Sequence, residues 1–175
     1  DIRSKGTKNL GASNAMVLMG WKAGILVGIH DIGKSALAVI IANVFFSNLP
    51  YIGAIAGVAS VLGHIFPFYL GFKGGKGFAT YIGVVMGLDW RLFLGIVVLI
   101  VVAAFITDYI VAGTFSTITV APVYFLFRQE WLVAAVLLAG SLLILYKHRE
   151  NIVSIKNGKE MKVRSAFANK YKKSA

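Results

Sequence analysis

A chain of 175 residues, of which 58% are hydrophobic and only 14% charged, is too apolar for a water-soluble domain, whose charged share is usually about 25%. It contains no cysteine, which excludes disulfides, thiolate nucleophiles and cysteine-based metal sites. A protein with a net charge of +11 could bind nucleic acid. However, nine of its eighteen Lys and Arg residues lie between Lys147 and Lys173, directly after the last apolar segment. This placement indicates a basic anchor beside a lipid surface and no nucleic-acid partner.

Six apolar segments predict an all-α, polytopic transmembrane bundle, at about 23–48, 51–72, 77–88, 91–107, 110–127 and 131–146. We expect one transmembrane domain over 1–146, in which residues 1–22 form a cytoplasmic loop rich in Gly and Asn and the six spans fill 23–146. Residues 147–175 are expected to be a basic cytoplasmic tail.

The third segment is the shortest, with about 12 residues, so a re-entrant segment is the alternative to a crossing. Charge favours six crossings. If the tail is cytoplasmic, fifteen Lys and Arg residues share its side and only Arg91 and Arg128 lie opposite. The polar loops would then all open onto the cytoplasmic face.

The first polar cluster covers residues 6–14, Gly-Thr-Lys-Asn-Leu-Gly-Ala-Ser-Asn. Its glycines leave backbone N–H groups accessible, and Lys5 and Lys8 add positive charge, a combination that suits a phosphate. The alternative is an ordinary loop before a helix, with Ser13 or Asn14 as the N-cap.

Asp31 and Lys34 follow inside the first long apolar segment. At a spacing of three they share one helix face, and charged groups at membrane depth usually face the bundle interior. We therefore expect a structural ion pair in preference to a catalytic one. Gly53 and Gly57, in the next segment, predict close helix packing.

The second polar cluster covers residues 63–80, Gly-His-Ile-Phe-Pro-Phe-Tyr-Leu-Gly-Phe-Lys-Gly-Gly-Lys-Gly-Phe-Ala-Thr. Lys73 and Lys76 flank two glycines at the membrane surface, which predicts an anion site; simple positive-inside charge on a glycine turn is the alternative. Pro67 should interrupt the helix and leave backbone groups near His64 in need of partners. His64 itself is either a packing residue or a site residue.

The last cluster lies at the end of the sixth segment, where His148 and Asn151 are one helical turn apart. By itself this pattern is equally typical of a polar juxtamembrane helix.

Taken in this order, the clusters resemble the membrane-embedded, acyl-phosphate-dependent glycerol-3-phosphate acyltransferases of bacterial phospholipid synthesis. The resemblance runs from Asp-Ile-Arg at residues 1–3 through residues 6–14 and Asp31-x-x-Lys34. It is most specific at 63–80, where every fixed position of G-H-x-F-P-x-x-x-x-F-K-G-G-K-G-x-A-T matches, and it ends with His-Arg-Glu-Asn-Ile at 148–152 and Gly158-x-Glu160. The family has seven spans, so the resemblance implies that a first span before Asp1 is missing here.

The resemblance implies transfer of a fatty acyl group from acyl phosphate to the sn-1 hydroxyl of glycerol-3-phosphate at the cytoplasmic face of the cell membrane. No cofactor or metal is implied, and a monomer in contact with membrane lipid is expected. Lys73, Lys76 and the 74–77 backbone would hold one phosphate and polarise the carbonyl. The expected catalytic residues are Lys76, Ser13, His148 and Asn151. The expected substrate-binding residues are Thr7, Lys8, Asn9, Gly11, Asn14, His64, Lys73, Gly74, Gly75, Gly77 and Thr114. The general base stays open among His64, His148 and the phosphate of the acceptor.

The chain departs from the family pattern at several positions. Thr7, Lys8 and Ser13 stand where the family usually has Ser, Gly and Thr. Val17 replaces an expected Arg, and Asp108 and Val111 replace Arg and Ser of a T-R-Y-x-S turn. Lys8 is the candidate substitute for the lost Arg, and Thr114 for the lost Ser. A paralogue that binds phosphorylated ligands or lipid, or transports them, without this chemistry is therefore the alternative function.

Overall fold

The computed structural model describes residues 1–160 and 162–164, so the rest of the predicted basic tail lies outside the described residues. Short 3₁₀ turns occupy Ile2–Ser4 and Phe68–Leu70. The helices of the described part are α1 (Ala12–Met19), α2 (Trp21–Phe45), α3 (Ile52–Ile65), α4 (Phe78–Leu88), α5 (Trp90–Thr107), α6 (Ile110–Phe127), α7 (Trp131–Lys147) and α8 (Arg149–Lys156).

Each of the six predicted apolar segments contains a helix, which confirms the all-α, polytopic membrane fold. Four of them are long and apolar enough to cross a bilayer: α2, α3 extended to Leu70, α5 and α6. The 17 residues of α7 make a fifth candidate, and the polar α8 follows after a bend of 49°. The 11 residues of α4 rise only about 16 Å, roughly half the thickness of the hydrocarbon core.

The bundle is apolar outside and carries polar groups inside. On α5, for example, Val98 and Phe105 are 62% and 76% exposed, as expected for a helix that faces lipid. In the interior, the Tyr81 hydroxyl donates to the Leu137 carbonyl over 3.1 Å and lies 2.8 Å from the Ser141 hydroxyl. Every buried side-chain N or O atom of the described residues has a hydrogen-bond partner, which the absence of water in hydrocarbon requires.

Glycines bring the central helices close together. A Cβ atom on Gly57 would lie 2.6 Å from a methyl carbon of Val84, and one on Gly83 would lie 2.1 Å from the backbone oxygen of Ile32. A Cβ on Gly53 would similarly meet the Asn43 side chain at 2.4 Å. The predicted close packing at Gly53 and Gly57 is confirmed, and it places α4 against α2 and α3.

The N-terminal loop predicted for residues 1–22 contains a helix of its own, α1, which packs on α2. Gly11 is its N-cap, so the interpretation of Ser13 or Asn14 as the cap is wrong. The physical reason is burial: Asn14 is fully buried, and its side-chain amide is bonded to the backbone of residues 2–7.

Candidate active site

The polar segments that are far apart in sequence meet around one cavity of about 420 Å³. The predicted convergence of the polar loops is therefore confirmed as geometry. Of the predicted site residues, Thr7, Asn9, Gly11, Ser13, His64, Lys76, Gly77, Thr114, His148 and Asn151 line the cavity, whereas Lys8, Asn14, Lys73, Gly74 and Gly75 do not.

Lys76, in the loop just before α4, is joined to the C-terminal part of the chain. Its ammonium group donates to Oδ1 of Asn151 over 2.5 Å, and Nδ2 of Asn151 donates to Glu160 over 2.8 Å. Burial lowers the pKa of Lys76, an effect that the nearby carboxylates of Glu150 and Glu160 oppose. The loop thus presents a cation whose position is fixed by α8.

His148 lies between α7 and α8 and is 6% exposed. Its Nδ1 is 2.8 Å from the Ile144 carbonyl, which can only accept, so Nδ1 carries the hydrogen and Nε2 is left as an acceptor. Burial lowers the pKa of His148 to about 4, and the charge of Lys76 acts in the same direction. Imidazole at this position is neutral at physiological pH.

Asp31, Lys34 and His64 form a second polar group between α2 and α3. Lys34 donates to Oδ1 of Asp31 over 2.6 Å and lies 2.9 Å from Nδ1 of His64. The same Nδ1 lies 3.4 Å from Oδ1 of Asp31, which would favour a hydrogen on Nδ1; the shorter contact is the one to the lysine, which can only donate, so we assign Nδ1 as the acceptor and the hydrogen to Nε2. The expected structural ion pair between Asp31 and Lys34 is present, and His64 extends it to α3.

The backbone N–H groups of Gly74 and Gly75 satisfy the carbonyls at the end of α3, where Pro67 interrupts the helix. The Gly74 N–H donates to the Ile65 carbonyl and the Gly75 N–H to the His64 carbonyl, each over 3.1 Å. Pro67 is expected to leave backbone groups near His64 in need of partners. These groups are the carbonyls of His64 and Ile65, and the glycine N–H groups satisfy both. This corrects the expectation that the Gly74 and Gly75 amides hold phosphate, because both amides are already engaged by backbone carbonyls.

The Asn14 side chain bonds to the backbone of the first loop and does not line the cavity. Its Oδ1 accepts from the Thr7 N–H over 2.8 Å, and its Nδ2 donates to the carbonyls of Ile2 and Lys5 over 2.8 and 3.2 Å. The side-chain hydrogen bonds of Asn14 are thus used within the protein. Its expected role as a substrate ligand is replaced by that of a residue that positions Thr7.

Lys8 and Lys73 are both exposed and lie away from the cavity wall. Lys8 has a φ of 57°, a left-handed conformation that glycine adopts at far lower cost. Because Lys8 does not line the cavity, its position does not support the expectation that it replaces an Arg at position 17.

Val17 is 55% exposed on α1 and does not line the cavity. Val111 and Thr114, one helical turn apart on α6, both do. Thr114, which is 2% exposed, therefore places a hydroxyl on the same wall as Val111, consistent with its expected role as a substitute for the usual serine.

Four polar cavity residues of the C-terminal region are not among the predicted site residues: Glu150, Ser154, Lys159 and Glu160. All lie in the stretch treated as a basic tail, part of which folds back as α8 and the chain after it. The sequence signals were the His-Arg-Glu-Asn-Ile stretch at 148–152 and the Gly158-x-Glu160 pattern, and neither indicates where the chain after α8 packs.

The fold and this cavity define an integral membrane protein with a polar, lysine-containing site at the end of a helical bundle. A sequence model of the family described as "Glycerol-3-phosphate acyltransferase" matches residues 1–158. The chain belongs to this glycerol-3-phosphate acyltransferase family.

Individual relatives agree with this assignment. The chain is 35% identical over 163 residues to the glycerol-3-phosphate acyltransferase of Lactiplantibacillus plantarum, covering 91% of this chain and 77% of the relative. The enzyme of the same name from Francisella tularensis subsp. novicida is 37% identical over 161 residues, covering 92% and 78%.

Two crystal structures of PlsY (YgiH), described as an integral membrane glycerol 3-phosphate acyltransferase, have the same fold. The glycerol 3-phosphate form superposes with a TM-score of 0.86 at 32% identity, covering 93% of this chain and 82% of that one. The lysophosphatidic acid form gives a TM-score of 0.83 at 31% identity, covering 90% and 81%.

Proposed function

We propose that this protein transfers a fatty acyl group from acyl phosphate to the sn-1 hydroxyl of glycerol-3-phosphate, and that it releases lysophosphatidate and inorganic phosphate. The observation that carries the proposal is the cavity, which brings Thr7, Ser13, Lys76, His148 and Asn151 together from three separate segments. The relatives named above share the acyltransferase name, and the solved structures are in glycerol-3-phosphate and lysophosphatidic acid forms.

Both proposed substrates carry phosphate, and the start of α4 is suited to one. Lys76 supplies a positive charge, and Gly77, Phe78 and Ala79 bring the first turn of α4 to the cavity wall. The N-terminus of a helix carries partial positive charge and unpaired N–H groups. This end of α4 would stabilise the negative charge that develops on the carbonyl oxygen and the leaving phosphate.

Acyl phosphate is already activated, so orientation and charge stabilisation are the main requirements. The sn-1 oxygen attacks the carbonyl carbon, the bond from that carbon to the phosphate oxygen breaks, and the hydroxyl proton leaves. With a pKa of about 4, His148 is a weak base, whereas a phosphate monoester has a second pKa near 6. We propose that Nε2 of His148 accepts a hydrogen bond and orients the hydroxyl, and that phosphate receives the proton.

His64 is less suited to act as the base. Its Nδ1 lies 2.9 Å from the Lys34 ammonium, which leaves the hydrogen on Nε2. In this tautomer neither ring nitrogen has an available lone pair. The catalytic set of the proposal is therefore Lys76, Ser13, His148 and Asn151, with Thr7, Asn9, Gly11, Gly77 and Thr114 in substrate binding.

The proposal includes the topology. Residues 1–146 would form the membrane domain of a monomer in a bacterial plasma membrane, and the cavity and the 147–175 region would be cytoplasmic. The support is the excess of Lys and Arg in the loops beside the cavity, which is the usual pattern for cytoplasmic loops.

The test is phosphate release from palmitoyl phosphate by the purified full-length protein, with and without glycerol-3-phosphate. We expect acceptor-dependent release that falls by about 10²–10³-fold in Lys76→Ala, the usual loss when one stabilising donor is removed. Lys73→Ala removes the same charge from the same loop but outside the cavity, and should lose far less. Equal losses in both variants would contradict the assignment of Lys76.

The second candidate is a protein that binds phosphate or lipid and does not catalyse acyl transfer. Its support is Val17, which stands where the resemblance leads us to expect an Arg. This candidate predicts that glycerol-3-phosphate binds without acceptor-dependent phosphate release. Recovery of turnover in Val17→Arg would identify a decayed enzyme, and failure of both proteins to release phosphate would reject the acyltransferase proposal.

A further inference from the structure

The chain reverses direction directly after α8. Gly158 adopts a left-handed conformation with φ of 65°, and its N–H donates to the Ile155 carbonyl over 3.0 Å. The N–H groups of Lys159 and Glu160 then donate to the Ser154 carbonyl over 2.8 and 3.2 Å. This closed turn ends the helix in the way a glycine C-cap does, and it places Lys159 and Glu160 on the cavity wall. We call residues 157–160 and 162–164 the strap.

The far end of the strap is fixed to the turn between α5 and α6. The Asp108 carbonyl accepts from the Val163 N–H over 2.8 Å, and Oδ1 of Asp108 accepts from the Arg164 N–H over 2.9 Å. Tyr109 and Lys162 form an antiparallel bridge beside them. Asp108 itself has a φ of 65°, which Asp tolerates better than most side chains. An arginine at this position could not accept the Arg164 N–H with its side chain.

Three other charged groups of the cavity wall have partners. Lys76 donates to Asn151, and Asn151 in turn donates to Glu160. Asp31 is paired with Lys34. Among the described residues of the wall, the side chains of Glu150 and Lys159 have neither an ion-pair nor a hydrogen-bond partner, and Lys159 is the cation of the two.

The charge balance of the wall makes this lysine important. The wall carries the carboxylates of Asp31, Glu150 and Glu160 against the ammonium groups of Lys76 and Lys159. Lys34 neutralises the Asp31 carboxylate, so the remaining acidic and basic side chains of the wall balance, and without Lys159 the wall would have one negative charge in excess. A phosphate dianion would be repelled from such a cavity, because opposite charge close to the phosphate is what favours its binding.

We infer that Lys159 is a phosphate-binding residue of this site, that Asp108 holds it in place through the strap, and that it supplies positive charge to a wall that would otherwise have a negative excess. This inference deepens the proposed function and rests on it. The ligand is a phosphate group, carried by either glycerol-3-phosphate or acyl phosphate.

The experiment compares Lys159→Ala, Lys159→Arg and the control Lys156→Ala in the full-length protein. Lys156 lies in the last turn of α8, is exposed and does not line the cavity, so its loss changes the net charge equally. The KM values for glycerol-3-phosphate and for palmitoyl phosphate are measured separately. We expect Lys159→Ala to raise one of them at least tenfold, the effect of one charge-assisted hydrogen bond, with kcat changed by less than about threefold. Lys159→Arg should stay near wild type.

Asp108→Ala tests the anchor. It should raise the same KM as Lys159→Ala, and the double variant should be no worse than Lys159→Ala alone, because both changes remove one interaction. Equal KM values in Lys159→Ala and Lys156→Ala would overturn the inference.

Calorimetric titration with glycerol-3-phosphate and with inorganic phosphate separates this inference from the proposed function. If the wild type lacks acceptor-dependent turnover, the acyltransferase proposal fails, yet at least tenfold weaker phosphate binding in Lys159→Ala would still support the role of Lys159. Equal binding by Lys159→Ala and Lys156→Ala, or no binding by the wild type, would overturn it.

Discussion

Gly74 offers a strong test of how the site is built. A Cβ atom there would lie 2.0 Å from the His64 carbonyl oxygen and 2.6 Å from Cδ of Pro67, so Gly74→Ala must move the backbone. The movement would break the two hydrogen bonds from Gly74 and Gly75 to the carbonyls of α3. Each buried carbonyl left without a partner costs about 1–3 kcal/mol, so we expect a loss of about 2–5 kcal/mol of stability.

Gly63→Ala is the matched control, since Gly63 lies inside α3 and a Cβ there has no neighbour within 4 Å. Alanine favours a helix over glycine by about 1 kcal/mol, so this variant should be as stable as the wild type or more so. Thermal unfolding of the purified proteins, followed by tryptophan fluorescence, measures both changes. We expect the midpoint to fall by roughly 5–15 °C in Gly74→Ala, and phosphate release to fall with it because Lys76 is displaced.

The reasoning would be refuted if Gly74→Ala unfolded at the same temperature as Gly63→Ala and changed only the KM for a substrate. That result would mean that the Gly74 backbone contacts phosphate, as the sequence pattern suggests, and that its bond to the Ile65 carbonyl is not what holds the loop.

Two further predictions concern the first loop and the last cluster. Asn14→Ala leaves the Thr7 N–H without its acceptor, so it should raise the KM for glycerol-3-phosphate and speed hydrogen exchange in residues 2–7. Asn14→Asp keeps the acceptor and should change the KM and the exchange rate less. Equal exchange rates in the two variants would contradict this role of Asn14. His148, whose pKa lies near 4, should show no NMR titration between pH 8 and 5, and a midpoint near 6.5 would contradict its burial. Because the unfolded chain takes up that proton near pH 6.5 and the folded one only near pH 4, stability should fall as the pH drops between these values, by up to about 3 kcal/mol.

The sequence by itself determined the class of the molecule and most of its helices. Composition and apolar segment length are sufficient for this, because hydrocarbon tolerates only a backbone whose hydrogen bonds are satisfied internally. Local chemistry also fixed the helix break at Pro67 and the tight packing at Gly57, since proline lacks an N–H and glycine lacks a side chain. The ordered motifs led to the acyltransferase family, which the comparisons confirm.

Only the tertiary structure decided what each motif residue does. Asn14, Gly74 and Gly75 belong to the predicted motifs, yet their polar groups bond to the protein itself. A motif contains both the residues that contact a ligand and the residues that hold them, and spacing alone does not separate the two.

The tertiary structure also decided where the C-terminal region lies. Lys159 and Glu160 read as part of a basic tail, and their position on the cavity wall depends on the reversal at Gly158 and on the contact with Asp108, some 50 residues earlier in the chain. Such a contact joins residues that no local pattern relates. Propensity and periodicity act over a few neighbouring residues, whereas the site is assembled by long-range hydrogen bonds between loops at one end of the bundle.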